Sequence, residues 1–236
     1  MVRVGCSGWQ YRNWRGRFYP ADLPLSQLFA TYARHFDTVE LNTTFYRLPS
    51  AEAVKGWWAA APPGFVFAFK ASRFLTHMKK LREPEEPLAR LFRTVDPLKS
   101  HRGPALYQLP DTLQRDDARL DTFLRALPPR RRHAIELRHS SWFAPPVFEA
   151  LTRAKVALCW HDWTPDVPLV ATAPFLYLRF HGQGSRYGGR YGRERLAARA
   201  ATLKPRLATH DVYAYFNNDA DGHAPADALL LRELLT

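Results

Sequence analysis

Residues 133–162 read HAIELRHSSWFAPPVFEALTRAKVALCWHD, and their pattern decides the fold. His133–Arg138 and Val156–Asp162 are short apolar runs rich in branched and aromatic residues, which suits buried strands. Between them, Pro145–Ala154 reads as a helix opened by a proline pair, and Pro128-Pro129 breaks the chain before the first run. Strand, helix and strand in this order form a parallel βαβ unit.

Outward from this unit the same alternation repeats. Strand-like runs are expected at Val2–Ser7, Thr38–Asn42, Phe65–Lys70, Ala105–Gln108, His133–Arg138, Val156–Asp162, Phe175–His181 and Val212–Asn217. Helices are expected at Ser26–His35, Ala51–Ala60, Pro87–Asp96, Asp116–Ala126, Pro145–Ala154, Arg193–Ala208 and Pro225–Leu234. Leu28, Phe29, Tyr32 and Phe36 show the helical spacing directly. Eight strands within 236 residues fit a single (β/α)8 TIM barrel of the α/β class, one domain over residues 1–236. A Rossmann sheet is less economical, because Gly5-Cys6-Ser7-Gly8-Trp9 is not the GxGxxG fingerprint and no helix follows it at once.

Hydrophobic residues make up 46% of the chain and charged residues 24%, which excludes disorder as the whole answer. Lys and Arg number 34 against 22 Asp and Glu, a formal charge of +12 that fits a phosphate-bearing partner. Only seven of the 34 are lysine, so compositional bias toward arginine is the competing explanation. Cys6 and Cys159 lie in apolar runs, with neither a disulfide framework nor metal-ligand spacing. The N-terminal MVRVGCSGW enters a strand at once, and no apolar segment approaches about 18 residues. A cytoplasmic protein without membrane association is therefore expected, and the oligomeric state is open.

Polar residues recur at one end of the runs: Ser7, Glu40 and Asn42, Lys70, Gln108, Glu136 and Arg138, His161 and Asp162, Arg179 and His181, then Asn217 and Asn218. Strand C-termini are where barrel enzymes gather catalytic groups. Glu40, Glu136 and Asp162 supply carboxylates for acid–base work; Lys70, Arg138 and Arg179 supply charge for an anion. His181, with His77 and His161, would relay protons near neutral pH. A divalent metal on Glu40, Glu136, Asp162 and His181 stays open, although the cations in the same ring make a metal less necessary; no other cofactor is implied. A desolvated Lys70 could also form an imine. The alternative is a buried ion network that only closes the barrel.

Two loops bear on the ligand. Gly182–Tyr191 is rich in glycine, with Arg186 and Arg190 placed to clamp a phosphate; a flexible surface loop is the alternative. After the first run, Trp9, Tyr11, Trp14, Phe18 and Tyr19 interleave with Arg12, Arg15 and Arg17, a pattern suited to stacking a base or sugar, or simply to packing a long loop over the barrel mouth. Arg130-Arg131-Arg132 falls at the opposite end and reads as a solvated patch.

The segments GCSGWQYRNW (5–14), FDTVELNTTFYRLP (36–49), FVFAFKASRFLTH (65–77), LYQLP (106–110), AIELRHSSW (134–142), YLRFHG (177–182) and YAYFNND (213–219) resemble, in order, the signatures of the domain-of-unknown-function 72 family. The resemblance implies a TIM barrel and no established activity. Motif by motif it points to Glu40, Asn42, Tyr46, Lys70, His77, Gln108, Glu136, Arg138, Trp142, Asp162, Arg179, His181, Asn217 and Asn218.

The expectation is an enzyme acting by hydrolysis or isomerisation on a small anionic or phosphorylated, ring-containing ligand or a nucleic-acid end. Glu136 and Glu40 exchange protons, assisted by Lys70, Asp162 and His181. Arg138, Arg179, Arg186, Asn42, Tyr46, His77, Gln108, Trp142, Asn217, Asn218, Trp9 and Tyr11 bind substrate. A noncatalytic nucleic-acid-binding protein and a metabolite receptor are the alternatives.

Overall fold

A computed structural model describes residues 1–184 and 187–236. Its strands are β1 (Val2–Cys6), β2 (Thr38–Leu41), β3 (Val66–Lys70), β4 (Arg102–Gln108), β5 (His133–Glu136), β6 (Val156–His161), β7 (Phe175–Phe180) and β8 (Asp211–Phe216). They form one sheet in the order β1-β8-β7-β6-β5-β4-β3-β2, with every recorded pair parallel. The barrel is nearly closed, with β1 and β2 at the seam. There the Tyr32 hydroxyl accepts from Cys6 N and donates to Thr38 O, both at 2.9 Å, so a side chain joins the two strands. Only glycine fits at position 5, because a Cβ would come within 2.3 Å of Thr38 O.

The helices are α1 (Leu28–His35), α2 (Thr43–Tyr46), α3 (Ala51–Ala60), α4 (Glu85–Val95), α5 (Asp117–Ala126), α6 (Pro145–Ala154), α7 (Gly192–Leu203) and α8 (Ala224–Leu235). Local chemistry sets several ends. The Ser50 and Asp116 side chains accept from Ala53 N and Arg119 N, satisfying N–H groups that lack a helical partner. Lys155 adopts φ 55° and stops α6. Two short elements carry no clear sequence signal, α2 and a π-turn at Phe74–Met78. The β6–β7 connection has no helix. Instead, Thr172 Oγ1 accepts from Leu158 N and donates to Val156 O, while Trp160 Nε1 donates to Val170 O, laying the loop over β6.

Period-2 alternation divides each strand. Outward residues such as Val39, Phe67, Tyr107, Ile135, Leu158 and Leu178 pack beneath the helices. Inward residues fill the barrel as a smaller cluster of Ala68, Leu106, Ala134, Cys159, Tyr177 and Tyr215. This packing makes a solid plug, and the inward positions next above it toward the strand C-termini are polar. Both cysteines are free and buried. Among the described residues, no helix is long and apolar enough to cross a membrane.

Candidate active site at the barrel mouth

Above the plug, Arg179 lies between two carboxylates. Its Nε and Nη2 donate to Glu40 Oε1 at 3.1 and 2.9 Å, and its Nη1 donates to Glu136 Oε2 at 2.7 Å. All three side chains are at most 1% exposed. Glu40 also accepts from Ser7 Oγ at 2.7 Å and from the Tyr177 hydroxyl at 2.6 Å. Glu136 Oε1 accepts from Arg138 Nε at 2.6 Å, and the Arg138 guanidinium lies 3.9 Å from the Trp163 ring centre. Burial alone would raise the Glu136 carboxyl, but Arg138, Arg179 and His181 hold it well below the usual carboxylate range.

Glu136 is therefore held as an anion, which weighs against the proton exchange expected of it. Glu40, with donors on both oxygens, belongs to the same fixed frame. The frame also displaces the metal alternative. The carboxylate oxygens already receive arginine, serine and tyrosine donors, and among the described residues no three His, Cys, Asp or Glu side chains could hold a metal ion together.

Lys70 behaves differently. The Thr44 hydroxyl, 2.6 Å from Lys70 O, anchors its backbone, while Nζ sits 4.0 Å from the centre of the Phe45 ring. Its side chain is 8% exposed, and none of the described ion pairs or side-chain hydrogen bonds includes Nζ. Burial, then Arg179, pushes the ammonium down to about 7 against the attraction of Glu136 and Glu40. It faces a cavity of about 270 Å³ that is also lined by Tyr11, Asn42, Tyr46, Asn217 and Asp219.

Sequence reasoning overlooked Asp219. The Trp14 indole donates to its Oδ1 at 3.0 Å, whereas Oδ2 is buried with no partner among the described residues. Burial pushes this carboxyl up to about 7. Its only sequence signal was its place one residue beyond Asn218, in the loop after the last strand. Tyr177 was also missed, although it stands two residues before Arg179 and so shares its inward face.

Burial also weighs against the proton relay expected of the histidines. Burial, aided by Arg179, outweighs the pull of Glu136 and holds His181 down to about 3, so its imidazole is neutral near pH 7. Its Nε2 is 3.4 Å from Glu136 and its Nδ1 3.5 Å from Asn217 Nδ2. Burial and then Lys70 lower His77 to about 4; its ring stands edge-on to Phe45, 3.5 Å from Gln108 Nε2. His161 lies within hydrogen-bond reach of Leu137 O and accepts from Trp163 N.

Asn42 reaches Arg179, Asn217 and Ser7 O at 3.4 Å, and Tyr46 is exposed on the rim. Tyr11 donates to Ser7 O at 2.5 Å and, with Trp9, Asn42 and Trp57, lines an adjoining cavity of about 240 Å³.

Three residues expected in the pocket lie elsewhere. Asp162, the neighbour of inward His161, accepts from His181 N and the Tyr191 hydroxyl outside the barrel. Asn218, the neighbour of inward Asn217, donates to Asp227 and Gly189 O. Trp142 is wholly buried, with its indole donating to Leu113 O. The first loop is mainly packing: Trp14 and Tyr19 are buried, which removes most of the stacking platform expected for nucleic acid. Arg190 points toward Asp227, 3.8 Å away, and Arg186 lies outside the described residues.

The architecture defines a TIM-barrel α/β protein with a polar mouth at its strand C-termini. The chain belongs to the family described as "Protein of unknown function DUF72", whose model matches residues 3–236. It is 32% identical to the UPF0759 protein YecE of Escherichia coli over 61% of this chain, a match that spans about half of that relative (51%). It is 24% identical to the UPF0759 protein YunF of Bacillus subtilis, over all of this chain and 95% of the relative. A crystal structure of a DUF72 family protein from Thermotoga maritima superposes with a TM-score of 0.83 at 27% identity, covering 100% of this chain and 99% of that one. A glycoside hydrolase family 5 enzyme from Prevotella bryantii shares the fold alone, with a TM-score of 0.54 at 10% identity over 99% of this chain and 96% of that one.

Proposed function

We propose that this protein is an enzyme performing acid–base chemistry on a small anionic or phosphorylated, ring-containing molecule in the pocket at the strand C-termini, as a hydrolase or isomerase. The observation that carries this reading is one cavity lined by both Lys70 and Asp219, a cation lowered and an acid raised to the same region near 7. Groups poised near the working pH exchange protons most effectively, and oppositely perturbed partners divide naturally into base and acid. The Glu40–Arg179–Glu136 frame sets the field around them, with Glu136 held well below the usual carboxylate range and Arg179 raised. Arg138 and the protonated fraction of Lys70 leave the mouth hospitable to an anion, and the aromatic cavity beside Tyr11 accommodates a ring.

The test is a panel of phosphorylated and carboxylated sugars and ring compounds incubated in D2O and followed by NMR for hydrolysis, isomerisation and solvent deuterium uptake. Turnover is expected for one class, with Lys70→Met and Asp219→Asn each lowering it by about 10²-fold or more while the protein stays folded. Full turnover by both variants would remove the assignment.

A further inference from the structure

We propose that Lys70 is a covalent nucleophile, and that the substrate is an aldehyde or ketone bearing an anionic group. This rests on the acid–base reading of the same pocket and names the chemistry its lysine performs. The geometry separates Lys70 from every other cation at the mouth. Arg179 gives all three of its nitrogens to Glu40 and Glu136, and Arg138 pairs with Glu136 through Nε, whereas Lys70 Nζ faces an aromatic ring and open cavity. A lysine kept for charge alone gains from a carboxylate partner; this one stands near two carboxylates that the arginines have already saturated. Withdrawal from water and from anions leaves an amine with a free electron pair at neutral pH, as imine chemistry requires.

The charged groups around Nζ set this balance together: Arg179 and Arg138 oppose a proton on the amine, Glu136 and Glu40 favour one, and His77, itself lowered to about 4, is neutral beside it near pH 7. Asp219 shares the cavity and supplies the acid.

The reaction balances without a redox partner. The Nζ pair adds to the carbonyl carbon, a C–N bond forms, and the carbonyl π pair moves to oxygen, which takes a proton. Nζ loses a proton in giving the neutral carbinolamine. The hydroxyl then takes a proton from the Asp219 carboxylic acid and departs as water, leaving an iminium ion. The new cation occupies the place of the ammonium over Phe45, whose ring face stabilises a positive charge. The iminium then makes neighbouring C–H and C–C bonds acidic or labile, consistent with an isomerisation or cleavage. The substrate's anionic group would complement Arg138, whose Nη2 has no hydrogen-bond partner among the described residues.

The experiment incubates the folded protein at pH 7 with sodium cyanoborohydride and, separately, glyoxylate, pyruvate, glyceraldehyde 3-phosphate and uncharged propanal, then maps adducts by peptide mass spectrometry. The seven lysines make the site readable. The expected result is a reduced adduct at Lys70 at least tenfold above any other lysine, preferring anionic carbonyls to propanal and absent from Lys70→Arg. Labelling spread over surface lysines, or Lys70 labelling without preference for the anionic compounds, overturns the proposal.

Phosphoglycolate, which has no electrophilic carbonyl, separates the two readings. If it protects Lys70 from acylation by a small anhydride while the carbonyls form no adduct, the pocket reading stands and the covalent step falls. If neither occurs, both fall. Lys70→Arg and Lys70→Met are each checked by circular dichroism, and the wild-type labelling decides the question even if a variant misfolds.

Discussion

The two ends of the barrel use the same chemical parts in different surroundings. At the N-terminal floor, Arg102 and Arg131 both reach Asp96 Oδ1 at 2.8 Å, and Arg132 reaches Asp211 at 2.5 Å, with arginine exposures of 23–41%. Arg131 lies 4.6 Å from the Phe92 ring centre, and Arg132 is 5.4 Å from those of Phe175 and Tyr213. At the mouth, Arg179 and its two carboxylates are cut off from water, and a lysine with no ion-pair partner among the described residues is left beside them. Water makes the floor's pairs nearly interchangeable with hydrated ions; its exclusion at the mouth makes each partner indispensable and leaves Lys70 and Asp219 chemically poised. In the Arg130–Arg132 patch, read from the sequence as solvated, Arg131 and Arg132 thus pair with local carboxylates.

The strongest test of this contrast removes the bridge. Arg179→Met leaves Glu40 and Glu136 buried without their shared cation, and breaking such a pair typically loses about 3–5 kcal/mol. Urea unfolding at pH 7 is expected to show a loss of that size or an unfolded protein. A loss below about 1 kcal/mol would mean that the mouth behaves like the floor.

Next in size are the two poised groups, each predicted to oppose stability in its own pH range. Lys70 is lowered in the fold, so between about 7 and the ordinary lysine value the unfolded chain binds more protons and stability rises with pH. Its penalty is full below 7. Lys70→Met is therefore expected to be more stable than wild type at pH 6, by on the order of 2–4 kcal/mol, and to lose the advantage by about pH 10.

Asp219 is raised, so the fold binds the extra proton between about 4 and 7 and stability falls as pH rises through that range. Asp219→Asn should match wild type near pH 4 and exceed it by about 1–3 kcal/mol at pH 8. Flat difference curves would show that neither group is perturbed.

The fold was largely legible because periodicity is local. Ala51–Ala60 and Pro145–Ala154 match their expected helices residue for residue, and each of the eight strand runs overlaps a strand. β4 starts earlier than expected, at Arg102, because Gly103 permits close approach to β3, where a Cβ would meet Val66 Cγ1 at 2.5 Å. The strand-end ring was legible as a location, and the same alternation, followed one residue further, would have turned Asp162 and Asn218 outward. Which cation pairs with which carboxylate was not legible. Arg179, Glu40 and Glu136 meet across the barrel from three strands, and that meeting leaves Lys70 without a carboxylate partner among the described residues.

The smallest effect should come from the floor. Arg131→Gln removes one of two arginines on Asp96, a carboxylate with 46% side-chain exposure that retains Arg102. Exposed pairs are worth about 0.2–1 kcal/mol, and salt screens them within roughly 3 Å at 1 M. The variant is expected to lose at most about 1 kcal/mol in dilute buffer, with most of the difference from wild type disappearing in 1 M NaCl. The loss from Arg179→Met should persist in the same salt, because ions have no access to a pair at 1% exposure. A floor loss that survives salt would show that stacking on Phe92, rather than the ion pair, fixes Arg131. That would make the floor a second rigid structure instead of a solvated counterpart to the mouth.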